Sequence, residues 1–367
     1  MKNSSIEIIK INRLKYRNKT SRIRSWKNII SMCVFILALV GCNKSIPNDD
    51  IIVEPIPFIT KTEFLLNTVI TINLYDKQDT ALLEECFDLI ADYEKIYSRT
   101  SENSELYTLN HGTAPRNGLA YKISDEMSDL LSYGLNYSKL SGGAFDISIA
   151  PITSLWNFTA PNPVVPGAAD ILTALSYVNY EFIKLEANEV TFAKEGVGID
   201  LGAIAKGYIA DKVKNFLISN KVKSAIINLG GNVLCVGGKP DGTPFHVGIQ
   251  KPFANRNETI AVTDIKDLSV VSSGIYERFF TLDGISYHHI LNPKTGYSYD
   301  NNLVSVTILS KESVDGDGLS TTCFALGLEK GLALIASLPD TYAVFITKDY
   351  DIHYSVGFEA AITMTLQ

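Results

Sequence analysis

Residues 64–75 alternate apolar and polar positions and are rich in β-branched side chains, the pattern of a half-buried strand. The period then lengthens. Leu83, Phe87, Ile90, Tyr93 and Tyr97 recur at helical spacing, so residues 80–97 read as a helix with Asp79 or Thr80 as N-cap. A second helix is expected from Ser124, stopping before Gly142 and Gly143, and residues 157–170, with three prolines, read as a surface loop. A third helix is expected after Gly202, over 203–219. Short strands should follow at 225–229, 246–250 and 268–272, and then a hairpin over 278–290 about Asp283-Gly284, a pair suited to a two-residue hairpin turn. Residues 303–309 read as a strand, 317–338 as a helix broken at Gly327, and 342–347 with 353–356 as a closing hairpin. No fixed-period repeat is visible, and strands and helices mix without a strict βαβ rhythm. The expected fold class is α+β, with mixed, mainly antiparallel sheets and packed helices in one unit of two lobes.

The start of the chain departs from this pattern. Residues 1–28 hold nine bases and one acid, and an uncharged apolar run of thirteen residues, 29–41, leads to Cys42. Thirteen residues are too few to span a bilayer, which takes about 20 in a helix. Basic stretch, short apolar stretch and small residue before the cut make a secretory signal. Leu39-Val40-Gly41-Cys42 resembles a bacterial lipobox, in which the cysteine is lipidated and becomes the mature N-terminus. Residues 1–41 are therefore expected to be a lipoprotein signal peptide and 42–60, with Pro47, Pro55 and Pro57, a tether. The folded domain is expected over 61–367. The implied location is the bacterial cell envelope, with a lipid anchor on the extracytoplasmic side of a membrane.

Charge then reads differently. The whole chain of 367 residues carries a formal charge of −7, but removal of the basic leader leaves a body at −15. An acidic body disfavours nucleic acid as a partner, since that contact needs basic surface.

Cys86, Cys235 and Cys323 are widely spaced and form no disulfide framework, so buried free thiols are expected. No pair of the five histidines has a spacing that would place two zinc ligands on one helix face. Four segments concentrate glycine beside polar residues: Ser141-Gly-Gly-Ala-Phe-Asp146, Gly198 through Gly207, Asn228 through Asn232, and Asp315 through Thr322. Glycine lets a backbone approach a ligand closely, and a helix N-terminus offers free N–H groups to phosphate. Lys206 should sit in the first turn of its helix, able to meet an anion there. Asp317 and Thr321, at i and i+4 on one face of a helix start, supply a carboxylate and a hydroxyl, a hard-oxygen set that suits Mg²⁺ better than zinc. A glycine after a helix also serves as a cap, and Asp317 also suits an N-cap. Spacing alone leaves both readings open.

Taken in order, FLLNTVITINLY, SRTSENSELYTLN, SGGAFDISIAPITSLWNF, GIDLGAIAKGYIADKV, INLGGNV, VVSSGIYERFF, YHHILNPKTGY and VDGDGLSTTCFALG resemble the FAD:protein FMN transferase (ApbE) family, from about residue 64 to residue 338. The resemblance implies a Mg²⁺-dependent enzyme that takes FAD as substrate and transfers its FMN part through the phosphate to a Thr or Ser hydroxyl of a target flavoprotein, releasing AMP. It implies an FAD pocket that includes Leu66, Asn67, Thr100, Ala144, Phe145, Asp146 and Leu291. Asp200 resembles the family's FAD-contacting acid and Lys206 the base of the same site. The metal site would use the Asp317 and Thr321 side chains and the Ala203 carbonyl, with Ser320 where some relatives place a further acidic ligand. His289 matches the histidine of the family's HIIDP-like motif and is expected beside the phosphates or the acceptor hydroxyl, as a catalytic group with Asp200 and Lys206. Asn67, Asn232 and Asn292 replace a Gly, an Asp and an Asp of the family pattern, and Leu66 replaces a Met. Two alternatives stand beside the transferase: an FAD pyrophosphatase giving FMN and AMP, and a lipid-anchored FAD-binding protein without turnover.

Overall fold

The computed structural model describes residues 57–367. The expected signal peptide, Cys42 and nearly all of the expected tether lie outside the described residues. The folded part begins slightly before residue 61, because Ile59 and Thr60 already belong to a strand.

Eight strands, Ile59–Leu65, Thr68–Leu74, Ala225–Leu229, Asn232–Val236, Ser269–Gly274, Leu303–Ser310, Tyr342–Thr347 and Ile352–Tyr354, lie side by side in chain order. Every neighbouring pair is antiparallel. Smaller sheets of four, three and two strands surround this one. All eight residues of Leu303–Ser310 are buried, so this strand is covered on both faces. The helices come mostly from the long excursion between the second and third strands. A main core joins the large sheet to these helices, and a small second core gathers Ile152, Trp156, Ile171, Ala174, Phe280 and Leu291. The mixture of helices with antiparallel sheets is the α+β class expected.

The strongly periodic elements fall where expected. Thr80–Tyr97 is a helix, and Asp79 caps it by accepting the Leu82 N–H at 3.1 Å. Asp125–Leu140 follows Ser124, whose hydroxyl accepts the Met127 N–H. The hairpin Phe279–Leu282 with Ile285–His288 turns at Asp283-Gly284. Cys86, Cys235 and Cys323 are free and buried.

Three expectations need correction. Residues 64–75 are not one strand but parts of two, reversing at Leu66 and Asn67, which both have left-handed backbones (φ 53° and 56°). The alternation breaks at the turn, where Leu65-Leu66 and Asn67-Thr68 pair like with like, and the β-branched run from Thr68 to Ile72 carries the strand reading across it. The Ala168–Leu175 helix begins inside the loop expected over 157–170. Most consequential, the helix expected from Asp317 begins at Ser313 and runs to Leu326, so Asp317 lies in its second turn and is not an N-cap. Its glycines are there for contact. A Cβ on Gly316 would lie 2.7 Å from Val271 Cγ2, and one on Gly318 would lie 2.4 Å from the Tyr137 ring.

Candidate active site

Two helices, Ala205–Ser219 and Ser313–Leu326, cross so closely that a Cβ on Gly207 would fall 2.3 Å from the Ser313 carbonyl oxygen. Neither helix is capped by its own N-cap side chain. A helix start leaves free N–H groups that need partners once water is excluded. Here each helix supplies the other. Asp317 Oδ2 accepts the Gly207 N–H at 3.0 Å, and Asp211 accepts the Ser313 and Val314 N–H groups at 2.7 and 2.8 Å.

The exchange has a chemical consequence. Gly207 donates to Asp317 instead of to the carbonyl four residues back, and among the described residues Ala203 O has no hydrogen-bond donor. A free carbonyl and a buried carboxylate thus meet at one helix start. Among the described residues Asp317 Oδ1 has only Lys206 Nζ, at 3.5 Å, as partner. Ser273 Oγ lies 3.0 Å from Thr321 Oγ1 and 2.8 Å from Ser320 Oγ, and Ser320 also donates to the Asp317 carbonyl. Ser273 thereby ties the two hydroxyls together. It lay within the VVSSGIYERFF segment, but its sequence neighbours gave no sign of this role. One carboxylate, hydroxyls and a carbonyl form an oxygen set that fits Mg²⁺, which commonly takes one or two carboxylates and completes its shell with substrate phosphate and water. Among the described residues no three His, Cys, Asp or Glu gather into a metal cluster.

Asp200 lies on the other side of the Gly202 turn. Asn110 grips Ile199 with two hydrogen bonds, donating to its carbonyl at 2.8 Å and accepting its N–H at 2.7 Å. The Asp200 carboxylate then receives Thr153 Oγ1 at 2.8 Å, the Gly202 N–H at 2.9 Å and Arg99 Nε at 3.2 Å. Arg99 is a second residue that sequence reasoning passed over, although it stands beside Thr100. Asn67 and Thr100 share a cleft of about 410 Å³ with Ala91, Glu94, Lys95, Ser98 and Ser101. Leu66 is held at its rim by its N–H, which Glu94 Oε1 accepts at 3.0 Å. Asn at 67 suits the left-handed turn that a glycine would otherwise fill.

The segment 144–146, expected in the FAD pocket, is held in place by the fold. Phe145 is packed in the main core, and Asp146 gives both oxygens to protein donors, Ser148 at 2.8 and 2.6 Å and the Tyr180 N–H at 3.0 Å. Tyr299 donates to the Ala144 carbonyl. Leu291 is packed in the second core. The Phe145, Asp146 and Leu291 side chains are thus engaged by the fold.

His289 sits among cations. Its backbone N–H donates to the Arg278 carbonyl at 3.1 Å, and the residue keeps some surface, yet its Nδ1 is closed off and has no partner among the described residues. Burial, then the neighbouring His288, Arg278 and Lys206, push it down to about 4. His288 is likewise pushed down to about 4, chiefly by burial; its Nε2 donates to the Tyr299 carbonyl and its Nδ1 accepts the Ile290 N–H. Both rings are neutral near pH 7.

An α+β chain with a buried carboxylate, an adjacent lysine and free oxygen donors at one helix crossing has the groups to hold a hard cation beside an anion. Its particular family is identified by comparison. The sequence model of the ApbE family matches residues 66–346, and the chain belongs to that family. An FAD:protein FMN transferase of Klebsiella pneumoniae (strain 342) is 38% identical over 290 residues, covering 78% of this chain and 89% of the relative. One from Treponema pallidum (strain Nichols) is 34% identical over 319 residues, covering 81% and 87%. The solved flavin transferase ApbE from Vibrio cholerae superposes with a TM-score of 0.74 at 25% identity, covering 83% of this chain and 99% of that one.

Because both histidines lie below the unfolded value near 6.5, their contribution to stability is present above pH 6.5 and lost as pH falls toward 4. In an NMR titration the His288 and His289 imidazole signals should hold their positions from pH 7.5 to 5.5; a midpoint above pH 6 for either contradicts the assigned burial.

Proposed function

We propose that the protein transfers FMN from FAD to a hydroxyl of a target protein, with Mg²⁺ in the site, at the bacterial cell envelope. Family membership and relatives named FAD:protein FMN transferase support the transfer. The observation that carries the assignment of the metal is the Ala203 carbonyl left free beside Asp317 by the Gly207 hydrogen bond. Ala203, Asp317 and Thr321 would hold Mg²⁺, with Ser320 and Ser273 orienting the Thr321 hydroxyl. When bound, Mg²⁺ supplies Lewis-acid neutralisation of the phosphate oxygens.

The chain's own groups do the rest. Lys206 places a positive charge at the first turn of its helix, where the helix dipole also favours the anionic phosphates. The acidic body, at −15, makes this local charge matter more. A Thr or Ser hydroxyl of the acceptor attacks the FMN phosphorus. Its oxygen forms the new phosphoester bond while the phosphorus–oxygen bond to AMP breaks. Neutral His289 accepts the hydroxyl proton at Nε2, the ring nitrogen that is not closed off, and the proton leaves with AMP or to water. Positioning and charge stabilisation suffice for such a transfer, and no covalent enzyme intermediate is required. Asp200, held by Arg99 and Thr153, would contact FAD as the family resemblance implies.

The lipobox-like LVGC sequence supports a lipid anchor at Cys42, which lies outside the described residues. Partners are then FAD, flavoprotein subunits that expose an acceptor Thr or Ser, and the membrane itself.

Incubation of the protein with FAD, Mg²⁺ and a flavoprotein acceptor should give AMP and a flavin fluorescence that stays with the denatured acceptor. Asp317→Ala should lower the rate by about 100-fold or more. Free FMN and AMP with an unlabelled acceptor would instead identify a pyrophosphatase. For the anchor, the wild-type chain expressed in a bacterial host should fractionate with membranes and Cys42→Ser should not; equal membrane association of the two removes the lipid assignment.

A further inference from the structure

Asp211 is buried, lies outside the set of residues assigned to FAD or Mg²⁺, and spends both carboxylate oxygens on a different helix. Its partners are the first two N–H groups of Ser313–Leu326, the helix that carries Asp317, Ser320 and Thr321. Asp211 stands four residues after Gly207 on the same helix, so one face of Ala205–Ser219 contacts both the Ser313 end and the Asp317 turn. No side chain within Ser313–Leu326 or at its N-cap does this capping. Beside it, Asn232 Oδ1 accepts the Ser313 hydroxyl at 2.7 Å, which fixes the same helix start from the sheet.

We infer that Asp211 is a positioning residue for FMN transfer: its carboxylate, by holding the Ser313 and Val314 N–H groups, sets the axial position of the Ser313–Leu326 helix and thereby the place of Asp317 and Thr321 relative to Lys206 and the Ala203 carbonyl. The inference rests on the transferase reading for its effect on rate. Its structural content is independent of that reading. A helix without this cap would have two free N–H groups in a water-poor crossing, and the cheapest relief is a small slide or fraying of the first turn. Asp317 lies one turn further on, so such a shift moves it directly.

The carboxylate must be charged to accept both N–H groups, since a protonated carboxyl turns one oxygen into a donor. Burial pushes Asp211 up to about 7, with Glu312 adding to the rise and the two N–H groups and Lys214 opposing it. The groups that face it are Glu312 ahead of the capped helix, Lys214 on its own helix, and Tyr133 and Tyr137 from Asp125–Leu140, which stay neutral because burial raises both phenols. A folded value above the unfolded one means that Asp211 stabilises the fold at low pH and that this contribution is lost as pH rises through 7. Activity should run the other way. The cap is complete above pH 7 and half-lost below it.

The test compares wild type with Asp211→Asn in steady-state transfer of FMN, read as kcat and KM for FAD between pH 5.5 and 8.5. Wild type should show an acidic limb in kcat near pH 7. Asp211→Asn should fold, lower kcat by about 10- to 100-fold with KM for FAD changed by less than about threefold, and lose that limb. Thr263→Val serves as the control for a purely structural loss, because its buried hydroxyl bonds the Val247 carbonyl in the separate three-stranded sheet. It should lower the melting temperature without moving kcat or the limb. Mg²⁺ affinity measured by calorimetry on the two proteins gives a readout apart from turnover and should weaken in Asp211→Asn. A wild type that transfers no FMN overturns the transferase reading. A wild type that transfers, beside an Asp211→Asn protein of equal kcat, pH profile and Mg²⁺ affinity, overturns the role of Asp211 alone.

Discussion

Asp211 and Asp317 reach in opposite directions across one helix crossing, and each ends the other helix's deficit of hydrogen-bond acceptors. A hydrogen bond to a charged group contributes about 1.5–3 kcal/mol, and a buried N–H left without one costs a similar amount. Three such bonds converge here. They are possible only because Gly207 lets the helices touch backbone to backbone. A side chain at that position would push the Ser313 end away and break the exchange from both sides.

The site inherits its chemistry from this arrangement. Diverting the Gly207 N–H to Asp317 frees the Ala203 carbonyl, and the same contact brings Lys206 to 3.5 Å from the carboxylate. The large sheet supplies Ser273 to align Ser320 and Thr321 from below. The segment around Asp146 and Asp200 forms a second wall, joined to the first by the short Gly202 turn, and there buried carboxylates stiffen loops by taking backbone N–H groups. Among the described residues the buried carboxylates of Asp146 and Asp211 spend both oxygens on fold donors, whereas buried Asp317 keeps one oxygen nearly free.

Legibility in the sequence followed the range of the interactions. Thr80–Tyr97 and its Asp79 cap could be read because periodicity and capping are local. The α+β class could be read from the mixture of periods. The turn at Leu66-Asn67 was hidden because the β-branched run from Thr68 to Ile72 outweighs the break in alternation at Leu65-Leu66 and Asn67-Thr68, and the start of Ser313–Leu326 was hidden because Gly316 and Gly318 look like loop residues when they are contact residues. Lys206, Asp317 and Thr321 were picked out by local spacing before the resemblance gave them roles, and the fold puts Lys206 3.5 Å from Asp317 with Thr321 one turn along the same helix. Arg99, Ser273 and Asp211 were missed because their partners are distant in the chain: Asp211 meets Ser313 across 102 residues. The inward packing of Phe145 and Leu291 was equally unreadable, since a motif names a residue without its direction.

Amide hydrogen exchange at Gly207, Ser313 and Val314 tests the reciprocal capping most directly. These are first-turn amides, which in an uncapped helix exchange nearly as fast as an unfolded chain. The account predicts slow exchange at all three, approaching that of the central strands, with Asp317→Asn releasing Gly207. Rapid exchange of these amides in the wild-type protein would contradict it.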